Sequence, residues 1–297
     1  MSRPASDVAA RSTLGADQAA AAGGGLLSVG ELQLALRTVL TARNVAGAPT
    51  QVGRPPAATT VGVPLGPWVA VVGATAGAGC STVALLLAEA LTSTGRPVHL
   101  VDPGPAARSG LAGVTTAELG VLRNGGWRRG TRGQITVDRR AEDGAGKAAW
   151  PRPPAGLTAA GLMTVVDVGA WPGAMALGAD GDRDPASPRV VLVARATAAG
   201  SGAAERVLTE LGSVSPACVA VVGPRRLPGH LRSGRGPRLA QMYEQGRVVA
   251  VPVDGRLDVA GLSTGPLPRS FTSPGNGLLE LLERDGLRSS TADRRRT

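Results

Sequence analysis

An apolar run that enters a glycine loop and leaves it as a helix constrains this chain most. It reads Trp68-Val-Ala-Val-Val-Gly-Ala-Thr-Ala-Gly-Ala-Gly-Cys-Ser-Thr82, followed by Val83-Ala-Leu-Leu-Leu-Ala-Glu-Ala-Leu91. A strand that turns through glycines into a helix points consecutive backbone N–H groups at one spot, where they form a nest for phosphate oxygens at the helix N-terminus. Residues 76–81 supply that nest, and Gly77, Ala78, Gly79, Cys80, Ser81 and Thr82 are the candidate nucleotide-binding residues. In such a loop a lysine normally neutralises the β- and γ-phosphates, and a Ser or Thr hydroxyl holds magnesium. Ser81 can take the magnesium role, but Cys80 stands at the lysine position. The lost charge-assisted contact is worth ~1.5–3 kcal/mol, or roughly one to two decades of affinity. Hydrolysis should suffer more, because charge builds on the transferred phosphoryl in the transition state.

From Pro67 the chain alternates β and α patterns. Strands are predicted at 68–73, Val98-His-Leu-Val-Asp102, Leu162-Met-Thr-Val-Val-Asp-Val168, Val190–Ala194, Cys218–Val222 and Val248–Pro252. Helices are predicted at 80–94, 199–212, 238–246 and 277–284. Short continuous β-branched runs separated by helices imply an α/β fold, a mostly parallel twisted sheet covered on both faces. Ligands of such sheets sit at the carboxyl ends of the strands. The glycine loop, Asp102 and Asp167 all fall at such ends. Asp167 is therefore a candidate magnesium group beside Ser81, and Asp102 a candidate water-positioning group. The bland alternative is that both carboxylates only cap turns.

Three further segments flank this pattern. Residues 1–62 read as a low-complexity segment, interrupted by an amphipathic stretch at 29–43 in which Leu32, Leu36, Val39 and Leu40 share a helical face. Residues 63–284 read as one domain, with an irregular, partly β, basic insertion at 103–160, and 285–297 as a basic tail.

Composition adds limits rather than a function. The chain has 297 residues, aromatics are only 2%, and the core must come from Val, Leu and Ala. Net charge is +10, carried in arginine clusters at Arg123–Arg132, Arg139–Arg140, Arg225–Arg238 and Arg294–Arg296. Such clusters can contact DNA non-specifically or simply form solvated loops. Base stacking has little aromatic support beyond Trp127. Cys80, Cys218, His99 and His230 show no metal-ligand spacing. With two cysteines in all, a reducing cytoplasm fits, and the N-terminus shows no signal-peptide pattern. Residues 55–88 carry no charge, yet the glycines in their middle argue against a membrane span. Cys218 and His99 lie within apolar strands and are expected in the core.

On these residues the chain resembles the ParA/MinD-type P-loop ATPases of the deviant Walker kind. That family's Lys-Gly-Gly-x-Gly-Lys-Thr-Thr matches Thr75-Ala-Gly-Ala-Gly-Cys-Ser-Thr82, so both family lysines are replaced, at Thr75 and Cys80. The second strand ending in Asp102 and running to Gly110-Leu111, the strand ending in Asp167, and the late Pro252-Val-Asp254 stretch follow in family order. An asparagine that often contacts adenine is replaced in Gly223-Pro-Arg-Arg226. The resemblance is nearest to a degenerate-loop branch, similar to actinobacterial septum-site-determining, CpaE and TadZ-like proteins and to MinD-like proteins of conjugative elements. It implies ATP or ADP with magnesium as ligand, a partner protein of a partition, septum or secretion system, and a homodimer. It implies a positioning or adaptor role with weak or no hydrolysis.

Two other readings remain open. One is an active ATPase whose missing lysine is replaced in trans. The other is an NAD-binding Rossmann protein, since Gly73-Ala-Thr-Ala-Gly-Ala-Gly79 also fits a dinucleotide loop with Asp102 on the ribose. A catalytic dehydrogenase of that kind needs Tyr-x-x-x-Lys. The one tyrosine, Tyr243, is followed by Arg247 at that spacing.

Overall fold

The computed structural model describes residues 68–123, 126–141, 150–153, 161–171, 188–212, 217–224 and 235–284. The chain divides into two units, 1–57 and 58–297, and every described residue belongs to the second. The 29–43 stretch, most of Arg225–Arg238 and the 285–297 tail lie outside the described residues.

In chain order the elements are β1 (Trp68–Gly73), α1 (Cys80–Ser93), β2 (Val98–Asp102), β3 (Ala117–Val121), β4 (Trp127–Arg132), β5 (Ile135–Arg140), β6 (Met163–Ala170), β7 (Arg189–Arg195), α2 (Ala198–Leu211), β8 (Cys218–Gly223), α3 (Pro237–Glu244), β9 (Val248–Pro252), α4 (Gly255–Ala260) and α5 (Thr272–Leu282). One nine-stranded sheet runs β3-β4-β5-β2-β6-β1-β7-β8-β9. From β5 to β9 all neighbours are parallel, while β4 is antiparallel to both β3 and β5. The fold is α/β and mostly parallel, as the alternating pattern predicts, and it is P-loop NTPase-like.

β1 is a continuous apolar run because both of its faces are covered. Val69 and Val71 pack on the α1 and α5 side with Leu85, Leu87, Leu278 and Leu282. Trp68, Ala70 and Val72 pack on the α2 and α3 side with Ala204, Val207, Leu211 and Leu239. The period of two along the strand thus assigns each side chain to one of two layers. α2 starts where the Thr197 hydroxyl accepts the Gly200 N–H at 3.0 Å. α5 begins at Thr272, more than a turn before the predicted 277.

The sheet order separates the two loop-based readings. In a Rossmann sheet the first strand lies beside the second. Here β6, which carries Asp167, stands between β1 and β2. Tyr243 sits on α3, on the layer opposite α1, with Arg235 stacked 3.9 Å from its ring centroid.

The basic stretch after Asp102 is more ordered than its composition suggests. β3, β4 and β5 form an antiparallel meander that extends the main sheet. Several of its arginines are interior groups rather than a solvated cluster. Arg132 uses all five donors: Nε and Nη2 go to Glu89 of α1, Nη1 to the carbonyls of Val114 and Ser263, and Nη2 also to Gly265. Arg129 grips both oxygens of Asp138 at 2.7 and 2.6 Å. His99 Nε2 meets Asp138 Oδ2 at 2.7 Å, and both of those side chains are fully buried. His99 is therefore a core residue as expected, although its Nδ1 has no hydrogen-bond partner. Asp138 sits well below the usual carboxylate range. Burial pushes it up, but hydrogen bonds and charge from Arg129 and His99 outweigh that. Arg140 stacks on Trp127, 5.3 Å from the ring centroid, and Trp127 meets Trp150 edge-on.

Candidate functional site

The site is built where β1 stops. Gly77 at φ 73 and Gly79 at φ 104 take left-handed conformations that a side chain would strain, and they turn the chain into α1. Gly79 is the N-cap of α1 and no side chain caps the helix. The N–H of Val83 is the first to bond back, to Gly79 O at 3.0 Å. The amides of Cys80, Ser81 and Thr82 thus lack intrahelical partners and face the loop. Thr75, Ala76 and Gly77 are exposed, whereas Ala78 and Cys80 are buried.

The Cys80 side chain is buried. Its thiol donates to Gly169 O at 3.5 Å. It also fills the space above Gly73, where an added Cβ would lie 2.6 Å from the sulfur. Burial, then the charge of Asp167, pushes the thiol far above its ordinary range. The lysine position therefore carries no charge and no reactive thiolate.

Ser81 and the two predicted carboxylates do converge. The Ser81 hydroxyl donates to Asp167 Oδ2 at 2.6 Å, and the Gly169 N–H donates to Asp167 Oδ1 at 3.2 Å. The ladder that pairs Val101 with Val166 places Asp102 and Asp167 one step on, side by side, with Asp102 at the end of β2 and Asp167 within β6 where its pairing with β1 shifts register. Asp167 is pushed up to about 7 by burial and by the charge of Asp102, against the Ser81 and Gly169 hydrogen bonds. Asp102 is also raised by burial, although Ser109, the Gly104 N–H and Arg139 all lower it. Asp102 Oδ1 accepts from Gly104 N at 2.8 Å, while its buried Oδ2 has no partner.

A buried carboxylate pair with one orphaned oxygen, beside a hydroxyl at a helix N-terminus, suits a hard divalent cation with oxygen ligands. Among the described residues no three His, Cys, Asp or Glu side chains gather to hold a metal by themselves. Magnesium fits the residues present.

Sequence reasoning missed the part Arg139 plays in this site. Arg139 pairs in register with Asp102. It donates to the Leu111 and Ala112 carbonyls and, at 2.5 Å, to Glu118. The segment it pins lies on the loop, because a Cβ on Gly110 would overlap the Ser81 hydroxyl. The alternation in Ile135-Thr-Val-Asp-Arg139 was the available signal for β5.

The fold and this site define a P-loop NTPase-like class of protein. Among solved structures, the chain is similar to the MinD cell division protein of Aquifex aeolicus, at 12% identity over 73% of this chain and 97% of that one, with a TM-score of 0.48. It is similar to the septum site-determining protein MinD of Pyrococcus horikoshii OT3 in complex with Mg-ADP, at 16% identity over 76% and 98%, with a TM-score of 0.49. It is also similar to a plasmid partition protein of Borrelia burgdorferi, at 11% identity over 74% and 99%, with a TM-score of 0.42. Likenesses this loose carry no argument about function, which rests on the geometry above. No protein-family model matches the chain, and no curated protein matches it. No helix among the described residues is long and apolar enough to cross a membrane.

Proposed function

We propose that this chain is a ParA/MinD-type protein that binds adenine nucleotide weakly at a degenerate P-loop, hydrolyses it weakly or not at all, and works by positioning or adapting a partner. The domain of residues 63–284 carries the site. The partner is a protein of a partition, septum, secretion or conjugation system, and the working form is a homodimer. The observation that supports the reading is the split within six residues of the loop. Ser81 keeps its place beside Asp167 and Asp102, while Cys80 turns its thiol into the core and leaves the lysine position uncharged.

In this reading the amides of Gly77 to Thr82 bind the phosphates, and Ser81 and Asp167 hold magnesium. The metal, when bound, neutralises phosphate charge. Asp102 positions water only in so far as hydrolysis occurs. The NAD-binding alternative finds no support in the sheet order, since β6 stands between β1 and β2. Calorimetric titration with Mg-ATP, Mg-ADP and NAD tests the reading. Binding of ATP and ADP that weakens in Ser81→Ala supports it, and binding of NAD alone contradicts it.

A further inference from the structure

The loop lacks a cation of its own, and the sheet brings one beside it from another strand. β7 flanks β1 on the side away from β6. Gly73 pairs with Val193, so Arg195 stands two residues further toward the rim where the loop leaves the sheet. Val191 and Val193 belong to the α1 side of the core. Strand alternation directs Arg195 to that same face, the one on which α1 begins. The next strand gives an independent fix. Arg195 pairs with Val222, and Val222 is the side chain against Gly79, 3.3 Å from where a Cβ on Gly79 would stand. Arg195 is thus one strand spacing, ~4.8 Å, from the residue that packs on the last glycine of the loop.

Its ion pair in the structure is with Asp258 of α4 at 3.8 Å, with the two side chains 38% and 53% exposed. So open a pair is weakly held. A polyphosphate offers more charge and matches the guanidinium fork. Among the described residues, the two buried arginines on this face are committed elsewhere, Arg132 through all five donors and Arg139 to Leu111, Ala112 and Glu118.

We infer that Arg195 supplies in cis the positive charge that the P-loop lysine would carry, contacting the polyphosphate of a nucleotide held on Gly77 to Thr82. Asp258 is its resting partner, and nucleotide binding exchanges one anion for another. The inference rests on the nucleotide-binding reading above and replaces the idea of a cation supplied in trans.

The test is calorimetric titration of the full chain with Mg-ATP and with adenosine. Arg195→Gln should weaken Mg-ATP binding by about tenfold, the scale of one charge-assisted contact, and leave adenosine unchanged. Arg195→Lys should recover most of the loss. Arg206→Gln removes the same charge from an exposed position on α2, and should leave ATP affinity alone. Mg-ATP affinity of Arg195→Gln within twofold of the unmodified protein overturns the inference. If Ser81→Ala weakens binding while Arg195→Gln does not, the Arg195 assignment falls and the nucleotide reading stands. If the unmodified protein binds no adenine nucleotide, both fall.

Discussion

The Ser81 hydroxyl donates a 2.6 Å hydrogen bond to Oδ2 of Asp167, joining the first turn of α1 to β6. It holds together the two groups that would share a magnesium ion. The cost lies on Asp167, whose carboxyl is pushed up by burial and by the charge of Asp102.

That cost sets a pH dependence. Asp167 titrates at about 7 in the fold and near its ordinary 3.8 when unfolded. Between those values the folded chain binds more protons, so its stability falls as pH rises from about 4 to about 7. In magnesium-free buffer the melting temperature should therefore decline from pH 5 to pH 8. Excess magnesium or Asp167→Asn should flatten the decline. A melting temperature that rises across this range contradicts the placement of Asp167.

Cys80 should behave as a buried neutral group. Burial and Asp167 hold its thiol protonated, and Cys218 is fully buried. Thiol reagents at pH 8 should label neither cysteine until the chain is unfolded. Rapid labelling of the native protein at one site would place Cys80 outside the core.

Adding the missing charge should restore part of the site. Cys80→Lys should tighten Mg-ATP binding by about tenfold, since it adds one charge-assisted contact to an intact nest. Unchanged affinity, with the fold intact by circular dichroism, would mean that a cation at position 80 does not reach the phosphates.

On the other face of the sheet, Asp138 is held by Arg129 and His99. Asp138→Ala should lower stability by ~3–5 kcal/mol in denaturant titration, because it takes the carboxylate from the partly buried Arg129 and leaves Nε2 of the buried His99 unpaired. The folded pKa is depressed here, so this contribution is present above the ordinary 3.8 and is lost as pH falls through the lower folded value. A loss under 1 kcal/mol would show that Arg129 finds another partner.

The parts that were legible in the sequence are those governed by local rules. β1, β2 and β9 span the predicted residues because continuous apolar runs bounded by Gly, Pro or Asp signal buried parallel strands. Asp102 and Asp167 could be placed at the site because ligands collect at strand ends. The meander was not legible, because arginine reads as surface in any single-sequence pattern. Arg132 is interior only because Glu89 and three carbonyls, up to 133 residues away, meet its guanidinium. Asp138 is interior only because Arg129 and His99 reach it. Arg195 was hidden for the same reason: its position beside the loop comes from pairing with β1 and β8, not from its own neighbours in the chain.

The central claim is that this loop holds a nucleotide without turning it over efficiently. The most direct measurement combines Mg-ATP binding and phosphate release on one sample of the full chain. The account predicts saturable binding of ATP, recovery of the bound nucleotide largely intact, and phosphate release close to the rate in buffer alone. Steady turnover that Asp102→Ala abolishes would contradict it, as would the absence of any adenine-nucleotide binding.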